Sequence, residues 1–370
     1  MTSPTSHMFP PYPQADRQRH QAALTQAVQR VFESGSYILG GEVKAFEREF
    51  AAHLGAKHVV GLASGTDAIE VMLRAHEIGV GDKVAAPAHA PSAVAAGVRR
   101  SGAEVVFADI DSETFTLCPE SLDAVLRSPK GRGVKAVLAV HLYGHPVDWR
   151  NLKHVANEHG AILLEDCAQA HGASWHGRAV GTLGRAAAFS FYPTKNLAAI
   201  GDAGAVVTDD DELAVRLRQL RVYGWKTRFN SEIPGVNSRL DELQAAVLRV
   251  KLGALTESVH QRRRLAAEYD SRLGGSAVVK PPVVRGGCEH ACHQYVVRSS
   301  RRDELLAHLL RAGVPAAVHY QLPLHRQAAF GSNVSLVESE RAAAEVISLP
   351  LHPYLSEAAL DAVCDAIETF

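Results

Sequence analysis

No run of apolar residues in this 370-residue sequence reaches the length needed to cross a bilayer. The opening stretch, MTSPTSHMFPPYPQADRQRH, holds no apolar core of signal-peptide length. No membrane partner is therefore expected. Charge of one sign is also lacking: 39 Lys and Arg stand against 40 Asp and Glu. That balance gives no basic surface for nucleic acid. The short cluster Arg262-Arg263-Arg264 reads as the solvated face of a helix. Cysteine is scarce and odd in number, with five residues. No disulfide framework is expected, and reduced thiols point to the cytoplasm. The segment CEHACH (288–293) matches no familiar zinc spacing and runs into the strand-like QYVVR, so no metal is expected there. His141 and His145 in HLYGH follow a strand and flank Gly144, without the helix that would align them as ligands. A G-x-G-x-x-G following a strand is absent too, which removes the dinucleotide fingerprint.

What is present is alternation. Seven short, nearly continuous apolar runs read as strands buried on both faces: 58–63, 83–88, 104–109, 134–140, 161–166, 186–191 and 203–208. Helical patterns fall between most of them. In TDAIEVMLRAHEIG, Ile69, Met72 and Leu73 share one face, and WRNLKHVANEHG closes on Gly160. This order predicts a doubly wound α/β domain. From Ser238 the texture changes to one long helical pattern with a break at Gly253, then to a smaller C-terminal α/β unit. The expected division is a large domain over residues 1–240, with an N-terminal arm over about 1–35, and a connecting helix with the smaller domain over 241–370.

Ligands of open α/β sheets bind beyond the carboxyl ends of the strands. Three features gather there. Ser64-Gly65-Thr66 turns a strand directly into a helix, whose free N–H groups suit an anion. Capping by Thr66 or Asp67 is the plainer reading of the same residues. A second strand ends in Glu165-Asp166, with Gln169 just beyond. A carboxylate at that depth needs a cation or a set of donors. The third feature is Lys195, the lone cation in FSFYPTKNLAAIGDAGAVVTDD between two core strands. Pyridoxal 5′-phosphate needs all three: donors for its phosphate, an anion for its pyridine nitrogen and an amine for its aldehyde.

The stretches ASGTDAIEVML, HLYGHPVD, EDCAQAHGA, FSFYPTKNLAAIGDAGAVVTDD, GVNSRLDELQAAVLRVKL and HYQLPLH resemble the DegT/DnrJ/EryC1/StrS family of sugar aminotransferases. The resemblance runs from about Tyr37 to Pro353. It implies the α/β aspartate aminotransferase-like fold (fold type I of pyridoxal-phosphate enzymes), with a mostly parallel seven-stranded sheet and a smaller C-terminal domain. It also implies a homodimer with shared active sites. Residue by residue, Lys195 resembles the lysine that joins the cofactor aldehyde, and Asp166 the partner of the pyridinium nitrogen. Gln169 resembles the contact to the phenolic oxygen. Gly65, Thr66 and Ser190 resemble phosphate ligands, and Asn237 the asparagine reaching the phosphate from the other subunit. Pro91 departs from the pattern, because members usually carry there an aromatic residue that stacks on the cofactor ring. Ala198 and Ala203 stand where glycines are common.

The activity implied is transfer of an amino group from L-glutamate to a nucleotide-linked keto sugar. His319, Tyr320 and His325, on a segment stiffened by Pro315 and Pro323, are the expected substrate contacts. HY-x-x-PLH and YGWKTRFNSE resemble members that aminate C3 of dTDP-3-keto-6-deoxyhexoses, although Gln321 replaces a usual proline. Amination at C4, or of another keto sugar or a cyclitol, is the alternative. Sugar dehydration is a rival function, but members performing it carry histidine in place of the lysine. A non-catalytic DegT-like regulator is another, and it does not require Asp166, Gln169 and Lys195 together.

Overall fold

The computed structural model describes residues 8–370. All seven expected strands form and join one sheet. They are β1 (His58–Leu62), β2 (Lys83–Pro87), β3 (Glu104–Ala108), β4 (Val134–Val140), β5 (Ile162–Asp166), β6 (Ala187–Ser190) and β7 (Gly204–Thr208). Their spatial order is β1-β7-β6-β5-β4-β2-β3. β7 pairs antiparallel with both β1 and β6, while the remaining pairs are parallel. Six strands therefore end at one edge of the sheet, and β7 begins there.

Helices cover both faces. Gly65–Ala75 and Ser92–Ser101 pack with Val60, Leu138 and Leu164 on one face; the other face holds Phe46, Phe50, Phe189 and Phe191. The long helical pattern after Ser238 resolves into Glu242–Leu252 and Leu255–Leu273, broken at Gly253-Ala254. An antiparallel strand pair, Tyr295–Arg298 with Val346–Leu349, lies farther along, with the helices Arg302–Arg311 and Glu357–Glu368 around a third core cluster. The expected N-terminal arm is largely helical, from Tyr12 to Ser34, and its first seven residues lie outside the described region. No described helix is long and apolar enough to cross a membrane.

Arg262 departs from the sequence reading. It is 1% exposed rather than solvated, its Nη1 donates to the Leu351 carbonyl at 3.0 Å, and its guanidinium lies over the Tyr12 ring. Helical periodicity gave no sign that this face would meet the C-terminal segment.

Side chains alternate across a strand, so the neighbours Glu165 and Asp166 point to opposite faces of the sheet. Glu165, fully buried, accepts from the N–H groups of Gly181 (2.7 Å), Leu183 (2.9 Å) and Gly184 (2.8 Å). It also meets His141 Nε2 at 3.1 Å. The Val147 N–H donates to His141 Nδ1, so the ring proton sits on Nε2 and is given to Glu165. Removing this carboxylate strands three buried N–H groups. Glu165→Ala is expected to cost about 3–5 kcal/mol. Glu165→Gln should cost less, since the amide oxygen still accepts. Denaturant midpoints of the two variants check this, and equal losses would refute the hub role.

Candidate active site

The helix Gly65–Ala75 begins as β1 ends. Its cap is Ser64, whose extended backbone lets Oγ accept the Asp67 N–H at 3.1 Å. Thr66 and Asp67 are thus inside the helix, one and two residues past Gly65. The N–H groups of Gly65 and Thr66 precede any acceptor the helix could offer them. A Cβ at Gly65 would come within 2.5 Å of the Ser190 Cβ, so glycine is what lets the helix start abut the end of β6. Gly204 closes the same corner, where a Cβ would lie 2.3 Å from the Ser64 carbonyl oxygen. Two free N–H groups and the Ser190 hydroxyl therefore gather at one helix start, a built anion cradle. The nearby Asp67 carboxylate is occupied by Arg100 (2.8 Å) and the Ser238 hydroxyl (2.7 Å).

Asp166, on the opposite face of β5 from Glu165, is 3% exposed. It has one donor where Glu165 has four: the Ala168 N–H, at 2.9 Å. Burial pushes its pKa up, and the Ala168 N–H and the charge of Lys195 oppose that rise. Lys195 sits in the turn after β6. Protein surrounds it, although the residue as a whole is only half-buried. Its Nζ forms no hydrogen bond or ion pair among the described residues. Burial draws its pKa down to about 8, against the upward pull of Asp166.

Gln169 is buried and committed at both ends of its amide. Oε1 accepts the Tyr143 N–H at 2.6 Å, and Nε2 donates to the Tyr320 hydroxyl at 3.0 Å. His319 lies beside Tyr320 with Nδ1 2.8 Å from the Ser348 hydroxyl, and burial and the Lys195 charge lower its basicity. His325 does not join them. Its ring is 1% exposed and Nε2 lies 3.0 Å from Glu340, which also holds Arg326 at 2.8 Å. It braces its loop against the helix Val337–Glu345, a partner fifteen residues away that the loop's own sequence does not announce. Asn237 is exposed, while the next residue, Ser238, turns inward to Asp67. Pro91 begins the helix Ser92–Ser101, and the ring nearest in sequence is His89, fully buried and 2.8 Å from the Tyr143 hydroxyl. Tyr143 and His89 were not singled out from sequence; only the position of Tyr143 within HLYGH gave a signal.

Residues 18–368 match the model of the DegT/DnrJ/EryC1/StrS aminotransferase family. The chain belongs to that family. It is 43% identical to a dTDP-3-amino-3,4,6-trideoxy-alpha-D-glucose transaminase of Streptomyces venezuelae, over 94% of this chain and 92% of that protein. It is 42% identical to a pleiotropic regulatory protein of Geobacillus stearothermophilus, over 94% of each chain. The crystal structure of S. venezuelae DesV in complex with a ketimine intermediate superposes with a TM-score of 0.93, at 42% identity and 97% coverage of both chains.

The family's aminotransferases use pyridoxal 5′-phosphate, and the residues here fit it. The cradle at Gly65, Thr66 and Ser190 offers donors to a phosphate. Asp166, buried with one donor, is a carboxylate that a nearby cation would keep ionised. Lys195 offers an amine without a competing partner. When bound, the cofactor supplies an aldehyde that captures amines and a ring that draws off electrons. Only a neutral amine can attack an aldehyde or accept a proton, and the lowered pKa leaves more of Lys195 in that form near neutrality. Capture of pyridoxal phosphate by apoenzyme, followed by absorbance, should rise about tenfold per pH unit below pH 8 and level off above it. Asp166→Asn removes the charge that favours the ammonium form, so the midpoint should fall. An unmoved or raised midpoint would contradict the pairing of these two residues.

Proposed function

We propose that this protein moves an amino group from L-glutamate to C3 of a nucleotide-linked 3-keto-6-deoxyhexose, giving a dTDP-3-amino-3,6-dideoxyhexose or a close relative. The observation that carries the reading is an unpartnered, weakly basic Lys195 facing a donor-poor Asp166 beside the His319-Tyr320 pair. In this reading Lys195 Nζ takes a proton from the α-carbon of the amino donor. In the return half it delivers one to the sugar carbon that gains nitrogen. Asp166 holds positive charge on the ring side, and the cradle at Gly65, Thr66 and Ser190 anchors the phosphate. His319 and Tyr320 meet the sugar, with their polar atoms held by Ser348 and Gln169.

The loop HYQLPLH and the segment YGWKTRFNSE support C3, as does similarity to a transaminase named for a 3-amino sugar. Gln321 favours keeping C4 as the second reading. Matched 3-keto and 4-keto dTDP-6-deoxyhexoses with glutamate decide between them, with higher kcat/KM expected on the 3-keto sugar. Preference for the 4-keto sugar would overturn the assignment. Failure with both would redirect the search to another keto sugar or a cyclitol ketone. No turnover, and no absorbance change on adding glutamate, would favour a regulator.

A homodimer in the cytoplasm belongs to the same proposal. Asn237 is exposed although its neighbour Ser238 bonds to the cradle helix, which suits a residue that completes a partner's phosphate site. Lys195→Ala should be inactive yet folded, and Asn237→Ala should bind cofactor weakly. Mixed dimers of the two carry one intact composite site, so co-refolding should restore activity. No restoration, or a fully active monomer, would refute shared sites. Borohydride reduction and peptide mapping should place the cofactor on Lys195 alone.

A further inference from the structure

Tyr143 is tied to both Gln169 and the His319–Tyr320 segment, and no catalytic duty above accounts for it. It lies in the turn after β4 with a left-handed backbone (φ 58°, ψ −1°) and is 3% exposed. A non-glycine residue in that region is uncommon, and here the conformation aims its N–H at Gln169 Oε1. Its hydroxyl donates to the His319 carbonyl. Because that uses its one proton, His89 Nε2, 2.8 Å away, must be the donor to the same oxygen. The Tyr143 carbonyl accepts from the His293 N–H at 3.1 Å. The ring packs edge-on to Phe115, with centroids 5.7 Å apart.

These bonds form a closed loop. The Tyr143 N–H holds Gln169 Oε1, Gln169 Nε2 holds the Tyr320 hydroxyl, and Tyr143 Oη holds the carbonyl of His319, the residue before Tyr320. A backbone N–H can only donate, so the amide atom it meets is the oxygen. The NH2 of Gln169 is then the part of the amide left for a further partner, with one hydrogen on Tyr320 and one to spare. A flipped amide would present a carbonyl and would repel an anionic oxygen.

We propose that Tyr143 is a positioning residue: it fixes Gln169 with its NH2 toward the cofactor's phenolic oxygen and fastens the His319–Tyr320 segment to that amide. This rests on the reading of Gln169 as a cofactor contact. Tyr143 itself touches neither reacting atom.

Tyr143→Phe keeps the N–H and the ring against Phe115 and removes only the hydroxyl. Tyr320→Phe, at a half-buried position, breaks the same loop from the other side and serves if the first variant folds poorly. The readout is the absorbance titration of the bound cofactor in the holoenzyme, with thermal denaturation measured alongside. A donor on the phenolic oxygen favours its anion, so loosening Gln169 moves the titration midpoint to higher pH. Gln169→Ala should raise it by about one unit, and each Tyr→Phe variant by roughly half a unit. The double Tyr→Phe variant should shift no more than the larger single, since both open one loop. A wild-type midpoint in Tyr143→Phe beside a raised one in Gln169→Ala overturns the part of the positioning role that runs through the hydroxyl and the His319–Tyr320 segment, even if thermal stability falls. Additive shifts in the double variant overturn the closed loop. An unmoved Gln169→Ala midpoint overturns the reading of Gln169 and the proposal together.

Discussion

Glu165 and Asp166 are adjacent and almost equally buried, yet the strand gives them opposite duties. The alternation of β5 sends Glu165 to the face where the turn Gly181–Gly184 brings three N–H groups and His141 a fourth donor. Asp166 goes to the face of the cradle helix and receives one N–H. A one-residue slip of the register would exchange these environments. The donor-poor charge would then be saturated with donors, and the charge that anchors the sheet would lose most of its own. The donor-saturated carboxylate thus fixes the register that leaves its neighbour unsatisfied. The price of Asp166 in stability is borne by a strand end that Glu165 holds in place.

The buried strands were legible because each is a short apolar run bounded by turn residues, and the observed limits fall within about a residue of the expected ones. The cradle was legible because a strand, a glycine and an amphipathic helix follow one another directly. What stayed hidden depends on partners far apart in sequence. Arg262 reads as one of three solvated arginines until the carbonyl of Leu351, 89 residues on, meets its guanidinium. His325 reads as a sugar contact until Glu340 takes its ring. Periodicity reports which face is apolar, and it carries no information on which polar group a buried donor will find.

The same limit explains why Lys195 could be singled out but not placed. Its turn is pinned by the next residue, Asn196, which is 5% exposed. Asn196 Nδ2 donates to the Ala291 carbonyl at 2.9 Å, and Oδ1 lies 3.2 Å from His293 Nδ1. The Tyr12 hydroxyl reaches the Asn196 carbonyl at 3.4 Å, and the Tyr12 ring lies beneath Arg262. The N-terminal helix and the segment after the long helices thus converge on one backbone position beside the lysine. Lys195, whose amine has no bond among the described residues, is thus followed by a residue held by three.

That freedom matters because of what surrounds the amine. His171, His293 and His319 all feel the Lys195 charge, and each is made less basic chiefly by burial and further by that charge. His171 falls to about 3. A histidine near its ordinary pKa would compete with Lys195 for a proton at this site. With these three rings made less basic, Lys195 and Asp166 are the pair whose charges respond to each other. Asp166 favours the ammonium form of Lys195, and desolvation favours the amine, so the midpoint near 8 is the balance of the two. A more hydrated site would leave the lysine charged and inert at neutral pH, and a site without Asp166 would leave it neutral but with no anion to hold charge opposite it. Lys195 and Asp166 therefore depend on the same burial, and the His319–Tyr320 segment lies close enough for both of its side chains to feel one of the two charges.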